Sequence, residues 1–218
     1  MVALGLLNLH NARNFDSGFT RAYDSLNMMH FKFFSRRNQI TYADDDSVTI
    51  LNLIKMRFPP LVLGLLLGII LSITASRFEE VLRFDIRVAF FIPFIVYMAD
   101  AVGTQTQTIY SRDLKTGKAS FRKYLYKETI LGLMLGLLSG SLSAVVTTLW
   151  FNSPQLTIAV AVAMFGSISL APLVALIVTE ILQLEHKDPA VGAGPIATVI
   201  QDTLSVLIYG LIASFVFF

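Results

Sequence analysis

Between Glu128 and Glu180 the chain carries no charged residue at all. A stretch that long and that apolar cannot sit on the surface of a water-soluble domain, and it is too long for one membrane crossing, which needs about 20 residues. The tripeptide Asn152-Ser153-Pro154 divides it, so it reads as two spans, roughly 129–151 and 156–179. Two neighbours of the same character precede it. One runs from Pro59-Pro60 to Ser76 and the other from Val88 to about Ser111. A fifth, Pro195 to Phe217, closes the chain and would be about 35 Å long as a helix. Five membrane helices are the expected fold: an all-α integral membrane protein, multi-pass, in a plasma or inner membrane.

Composition agrees. The chain is 55% hydrophobic and 15% charged, against about 25% charged in a soluble domain. Its mean hydropathy is +0.66. There is no cysteine, which excludes thiol catalysis and thiolate metal sites. Residues 1–58 differ from the rest, holding seven of the 17 Lys and Arg residues and the acidic run Asp44-Asp45-Asp46. That run reads as a solvated turn, with a weak divalent-cation site as the minority reading. The expected domains are therefore a short cytosolic segment, 1–58, and a membrane domain, 59–218. Within the first, Ser47 to Phe58 is expected to form an amphipathic connecting helix capped by Asp46 or Ser47. Five spans put the termini on opposite sides. An N-in, C-out arrangement places 14 Lys and Arg residues inside and only Arg77, Arg83 and Arg87 outside, as the positive-inside rule requires.

Two spans are not uniformly apolar. In the fifth, Asp202 is the single charge between Ala190 and Phe218, and a carboxylate at such depth costs about 2.5–3.5 kcal/mol to insert. Pro195, Thr198, Asp202, Ser205 and Tyr209 follow a 3-4-3-4 spacing that gathers them on one helix face. In the second span Tyr97, Asp100, Thr104, Gln107 and Ser111 repeat that spacing, with a second intramembrane acid. Such faces suit a water-filled cavity, and Pro93 and Gly103 are positions where the second helix can loosen. Elsewhere the glycines read as packing surfaces: Gly64 with Gly68 in the first span, and Gly132, Gly136 and Gly140 in the third. Pro172 is expected to interrupt the fourth span. His10, His30 and His186 lie outside the spans and read as ordinary surface residues, while Trp150 and tyrosines at span ends suit interfacial anchoring.

From about residue 57 to 218 the chain resembles the transmembrane domain of the MgtE-type magnesium channels and their related eukaryotic solute carriers. The resemblance rests on Phe78-Glu79, Ala89-Phe90 with Pro93, Gly103 with Gln105, Lys127-Glu128, Asp188-Pro189-Ala190, Pro195, Ala197-Thr198, Asp202 and Leu207-Ile208-Tyr209, in that order and spacing. It implies a homodimer whose ion pore lies on the two-fold axis, lined by the second and fifth helices. It also implies Asp202 as the acid of the magnesium site and Thr198, one turn earlier, as a carbonyl donor to it. Asp100, Ala101 and Thr104 stand where the family carries glycine and asparagines, so a dimer would set four carboxylates along the pore. The metal-ligating set expected here is Asp202, Thr198, Asp100 and Thr104.

The function this reading favours is a divalent-cation channel or transporter, Mg²⁺ first, with no cofactor beyond the transported ion. Its partners are Mg²⁺ or another divalent cation, membrane lipid and a second copy of itself; nucleic acid is not among them. The alternatives are a cation-coupled exchanger of another divalent ion and a non-transporting scaffold. An intramembrane aspartyl protease using Asp100 and Asp202 is the enzyme reading; the surrounding residues do not resemble those of such proteases, and the chain is taken as a non-enzyme.

Overall fold

A computed structural model describes residues 46–185 and 189–218. His10, His30, His186, Lys187, Asp44 and Asp45 lie outside the described residues, so the acidic run is represented by Asp46 alone. The described residues form six helices: α1 (Ile50–Ser76), α2 (Glu79–Phe84), α3 (Arg87–Lys115), α4 (Phe121–Phe151), α5 (Pro154–Leu184) and α6 (Pro189–Phe217). Five are long and apolar enough to cross a membrane. The exception, α2, is a short turn between the first two.

Several boundaries differ from those expected. Helix α1 begins at Ile50 and passes through Pro59 and Pro60, so the anticipated connecting helix and first span form one continuous rod. Its N-cap is Thr49, and no side chain caps it. A Pro-Pro pair inside a helix removes two N–H donors, and water or neighbouring groups can serve the carbonyls it frees. Helix α4 begins at Phe121, so Arg122, Lys123 and Lys127 stand on its first turns and the connecting turn shrinks to residues 116–120. Gly117 takes φ +69 there, a left-handed conformation that glycine adopts without a Cβ penalty. Pro172 does not break α5, which continues through it to Leu184.

The division between α4 and α5 falls at the expected tripeptide. Asn152 adopts φ 47, ψ 41 and ends α4, Ser153 is extended, and Pro154 opens α5. Each residue is of the type its position favours: Asn tolerates the left-handed region, and Pro at the first helical position loses no hydrogen bond.

Helix α5 is the centre of the bundle, packed against α3, α4 and α6. One apolar core joins Val88, Phe91 and Ile95 of α3 to Leu156, Val160, Met164 and Ile168 of α5 and to Ala213 of α6. A second joins Val178 and Leu182 of α5 to Ala193 and Ala197 of α6. The α4–α5 seam is built on small residues. A Cβ on Gly132 would lie 2.8 Å from the Ser169 carbonyl oxygen, one on Gly136 2.7 Å from that of Phe165, and one on Gly140 2.9 Å from that of Ala161. These backbones approach as closely as glycine permits. Helix α1 is different. Among the described residues it packs chiefly on α6, and none of its own residues is buried. A Cβ on Gly64 would lie 3.6 Å from the Pro195 carbonyl oxygen, whereas one on Gly68 would have nothing within 4 Å. Only half of that glycine pair packs against the protomer.

Candidate functional site

The two polar faces expected in the second and fifth spans belong to α3 and α6, which pack against each other. Their closest approach is set by Gly103. The carboxamide of Gln201 occupies the space a Cβ there would need. Gln201 is itself 3% exposed, so a side chain at position 103 would have to displace a buried group. This contact brings the middle of α3 against the middle of α6, where the intramembrane acids stand.

Asp100 and Thr198 meet directly: the Thr198 hydroxyl donates to Asp100 Oδ1 at 2.8 Å. Asp202 stands four residues after Thr198, one turn further along the same face of α6. Asp202 Oδ1 is buried and has no hydrogen-bond partner among the described residues. A buried, unpartnered carboxylate oxygen in a span is costly. Thr104, one turn beyond Asp100 on α3, is exposed on the protomer surface. The structure therefore brings Asp100, Thr198 and Asp202 together and leaves Thr104 on the same side, open. Among the described residues there is no cluster of three or more Asp, Glu, His or Cys side chains of the kind that holds a metal within one chain.

The predicted polar faces are only partly polar surfaces. On α6, Ser205 is 1% and Tyr209 2% exposed, and the Tyr209 hydroxyl donates to the Val88 carbonyl of α3 at 2.9 Å. Those two residues join helices; Thr198 and Asp202 form the more open part of the face. On α3 the division runs the other way. Tyr97 is 68% exposed, and Thr104, Gln105 and Thr108 are exposed, whereas Thr106 is buried. Gln107 is half-buried and reaches to within 3.7 Å of the position a Cβ on Gly194 would take.

Thr106 belongs to a set of links that periodicity did not single out. Its hydroxyl donates to Glu128 Oε2 of α4 at 2.8 Å. One turn on, the Tyr110 hydroxyl donates to Glu180 of α5 at 2.6 Å, and the Tyr110 ring lies 4.7 Å from that of Tyr124. Tyr124 in turn donates to Asp113 at 2.5 Å. Helices α3 and α4 otherwise touch sparingly, so these side chains tie this end of α3 to its neighbours. A signal was present: Glu128 stands four residues before Gly132, on the same i, i+4 ridge as Gly136 and Gly140, which points it inward.

Thr106→Val should lower the melting temperature by an amount corresponding to about 1–3 kcal/mol, because it leaves a buried carboxylate without its donor. Thr106→Ser should restore the wild-type value. A melting curve in detergent reads both, and an unchanged Thr106→Val protein would remove Glu128 from the list of structural links.

Five helices long and apolar enough to cross a membrane, two of them meeting through polar and acidic residues, define a multi-pass membrane protein. The sequence pattern of one family, MgtE, described as a divalent cation transporter, matches residues 92–212, more than half of the chain and including α3 through most of α6. The chain belongs to the MgtE family. Among its relatives is the magnesium transporter MgtE of Bacillus subtilis (strain 168), 30% identical over 164 residues, covering 73% of this chain and 36% of the relative. The magnesium transporter MgtE of Enterococcus faecalis is 32% identical over 161 residues, with shares of 72% and 36%. That of Thermus thermophilus is 30% identical over 152 residues, with shares of 68% and 34%. The chain thus spans about a third of the length of these curated relatives.

Proposed function

We propose that this chain is the membrane-embedded, ion-conducting part of a divalent-cation transport protein, with Mg²⁺ as first cargo. It works as a homodimer, N-terminus inside, in a plasma or inner membrane. The observation that carries the reading is the uncovered polar face of α3. Thr104, Gln105 and Thr108 are exposed on the protomer within a span. Facing hydrocarbon, each such hydroxyl or amide would cost about 1–3 kcal/mol. Facing a second copy across a water-filled path, each is hydrated. The names of the three relatives support Mg²⁺ as the cargo.

In this dimer Asp202 and Asp100 of both copies face the path. Mg²⁺ surrenders its waters reluctantly, so the carboxylates act on the hydrated ion and accept hydrogen bonds from its water shell. Asp202, with an oxygen that no group among the described residues serves, is the principal ion ligand. Thr198 holds Asp100 in place through Oδ1 and leaves Oδ2 for the ion's waters. Thr104 adds a hydroxyl one turn away. The cation relieves the repulsion among the carboxylates, and that repulsion in turn keeps the ion from binding too tightly to move on.

The dimer has a clean test because the chain has no cysteine. Thr104→Cys, oxidised in membranes, should run as a disulfide-linked dimer on a non-reducing gel. Leu142→Cys, on the 67% exposed outer face of α4, should stay monomeric. Equal cross-linking of the two, or none from Thr104→Cys under any oxidant, would take the α3 face off the two-fold axis. Transport itself is tested by Mg²⁺ uptake into proteoliposomes, with Asp100→Gly beside the wild type. A shift in preference among divalent cations would assign Asp100 to selectivity.

A further inference from the structure

A second polar feature lies away from the α3–α6 face, at the end of the bundle where α3 and α5 begin and α6 ends. A cavity of about 630 Å³ opens there, lined among others by Arg83, Phe84, Arg87, Ser153, Gln155 and Phe217. Its wall carries two arginines against one carboxylate, Asp85, together with the polar side chains of Ser153 and Gln155. Two long helices start at it: the Arg87 N–H that opens α3 donates to Asp85 Oδ1 at 2.9 Å, whereas α5 has no acidic residue in its first turn to offset its positive end.

Arg87 is held in a fixed orientation. Its Nε lies 2.8 Å and its Nη2 2.6 Å from the Asp85 carboxylate, and its guanidinium carbon stands 6.0 Å over the Phe151 ring. The hydrogen bond from Arg87 holds the Asp85 carboxyl below its ordinary range, so Asp85 stays ionised and committed to Arg87. A guanidinium has five N–H donors; this pairing engages two and leaves three at the cavity wall. Arg83 pairs with Glu79 at 2.5 Å, but both side chains are largely exposed, at 79% and 62%. Such a surface pair contributes about 0–1 kcal/mol and yields readily to a better acceptor.

The other wall is apolar and equally open. Phe84 is 65%, Ile86 63% and Phe218 67% exposed, and the Phe84 ring lies 6.1 Å from that of Phe217 and 5.4 Å from that of Phe218. The ligand that fits must carry a negative, oxygen-rich head and an apolar body, and it must be present where membrane helices end. We propose that this cavity binds the headgroup of an anionic phospholipid. Its phosphodiester lies between Arg83 and Arg87, Ser153 and Gln155 donate to its remaining oxygens, and its acyl chains descend along Phe84 and Phe217. The site is separate from the ion path and its occupancy does not depend on transport.

The test is a melting curve of the purified full chain in detergent, with added phosphatidylglycerol, phosphatidylcholine or inorganic phosphate. Phosphatidylglycerol should raise Tm by at least about 3 °C, as a ligand bound only by the folded state must, and the other two additions by less than half as much. Arg83→Gln leaves the Asp85–Arg87 pair intact. It should keep the lipid-free Tm and lose at least half of the phosphatidylglycerol shift; the Arg83→Gln, Arg87→Gln double variant should lose all of it, provided its lipid-free melting remains cooperative. An equal shift from phosphatidylcholine, a shift from phosphate alone as large as that from the lipid, or a full phosphatidylglycerol shift in Arg83→Gln would each overturn the proposal.

Discussion

Asp202→Ala should sharply reduce divalent-cation uptake into proteoliposomes while leaving the protein at least as stable as the wild type in the absence of the ion. Both halves of that expectation come from one atom. Asp202 Oδ1 is buried without a hydrogen-bond partner among the described residues, so removing the carboxylate breaks no hydrogen bond at that atom and takes away a desolvated group. Removing an unserved buried charge is neutral or stabilising. Function moves the other way, because in the proposed path the same oxygen is what the hydrated cation meets. A fall of at least about tenfold in initial uptake rate, equivalent to about 1.4 kcal/mol in the barrier, should accompany an unchanged or higher melting temperature. The stabilisation that added Mg²⁺ gives the wild type should shrink with it. Asp202→Asn distinguishes charge from shape: it keeps an acceptor of the same size, and a transport path that needs the charge loses rate with it as well. Uptake at the wild-type rate in a correctly folded Asp202→Ala dimer would remove Asp202 from the ion path, and wild-type uptake in Asp202→Asn would show that the path needs no charge there. The absence of uptake by the wild type itself would favour the scaffold reading.

Why the fold was legible and the site only in part follows from which residues carry each. Spans announce themselves by the absence of charge, and Asn152-Ser153-Pro154 announces a turn by its own backbone preferences, so the five helices and the α4–α5 division are readable residue by residue. Helix ends are less so. The third span is expected from about 129, where charge ends, yet its helix starts at Phe121 and carries Arg122, Lys123 and Lys127, because charge does not stop a helix whose first turns emerge from the bilayer. Proline was a weaker breaker than its reputation: at Pro59, Pro60, Pro93, Pro172 and Pro195 the helices run on. Periodicity located the polar faces but could not say what covers them. The same 3-4-3-4 row holds Asp202, whose Oδ1 lacks a partner among the described residues, and Tyr209, which is spent on a hydrogen bond to Val88. Facing direction is decided by which neighbour lies opposite, and a single helix does not contain that information. The links of Glu128 and Glu180 to Thr106 and Tyr110 stayed hidden for the same reason: each joins residues distant in sequence.

The largest loss of stability is expected at Gly136. A Cβ there would stand 2.5 Å from Ser169 Oγ and 2.7 Å from the Phe165 carbonyl oxygen. The hydroxyl can rotate away, at the cost of its bond to the Phe165 carbonyl, but the carbonyl belongs to the backbone of α5 and cannot move without the helix. Gly136→Leu would therefore push α4 off α5 along the whole glycine ridge, since Gly132 and Gly140 depend on the same separation. Overpacking a site that can repack costs about 1–3 kcal/mol. Here the obstacle is main chain on the central helix of the bundle, and the cost exceeds that range. The variant should fail to give a monodisperse peak in detergent, or should melt far below the wild type. Gly68→Leu is the matched control, a glycine in the same kind of small-residue pair with nothing within 4 Å. It should change stability by no more than about 0.5 kcal/mol. If Gly136→Leu were tolerated, the α4–α5 seam would have to be looser than its backbone distances require. If Gly68→Leu were as damaging as Gly136→Leu, the exposed face of α1 would have to be packed against a neighbour that the protomer itself does not supply, and the second copy would then meet this chain along α1 as well as along α3.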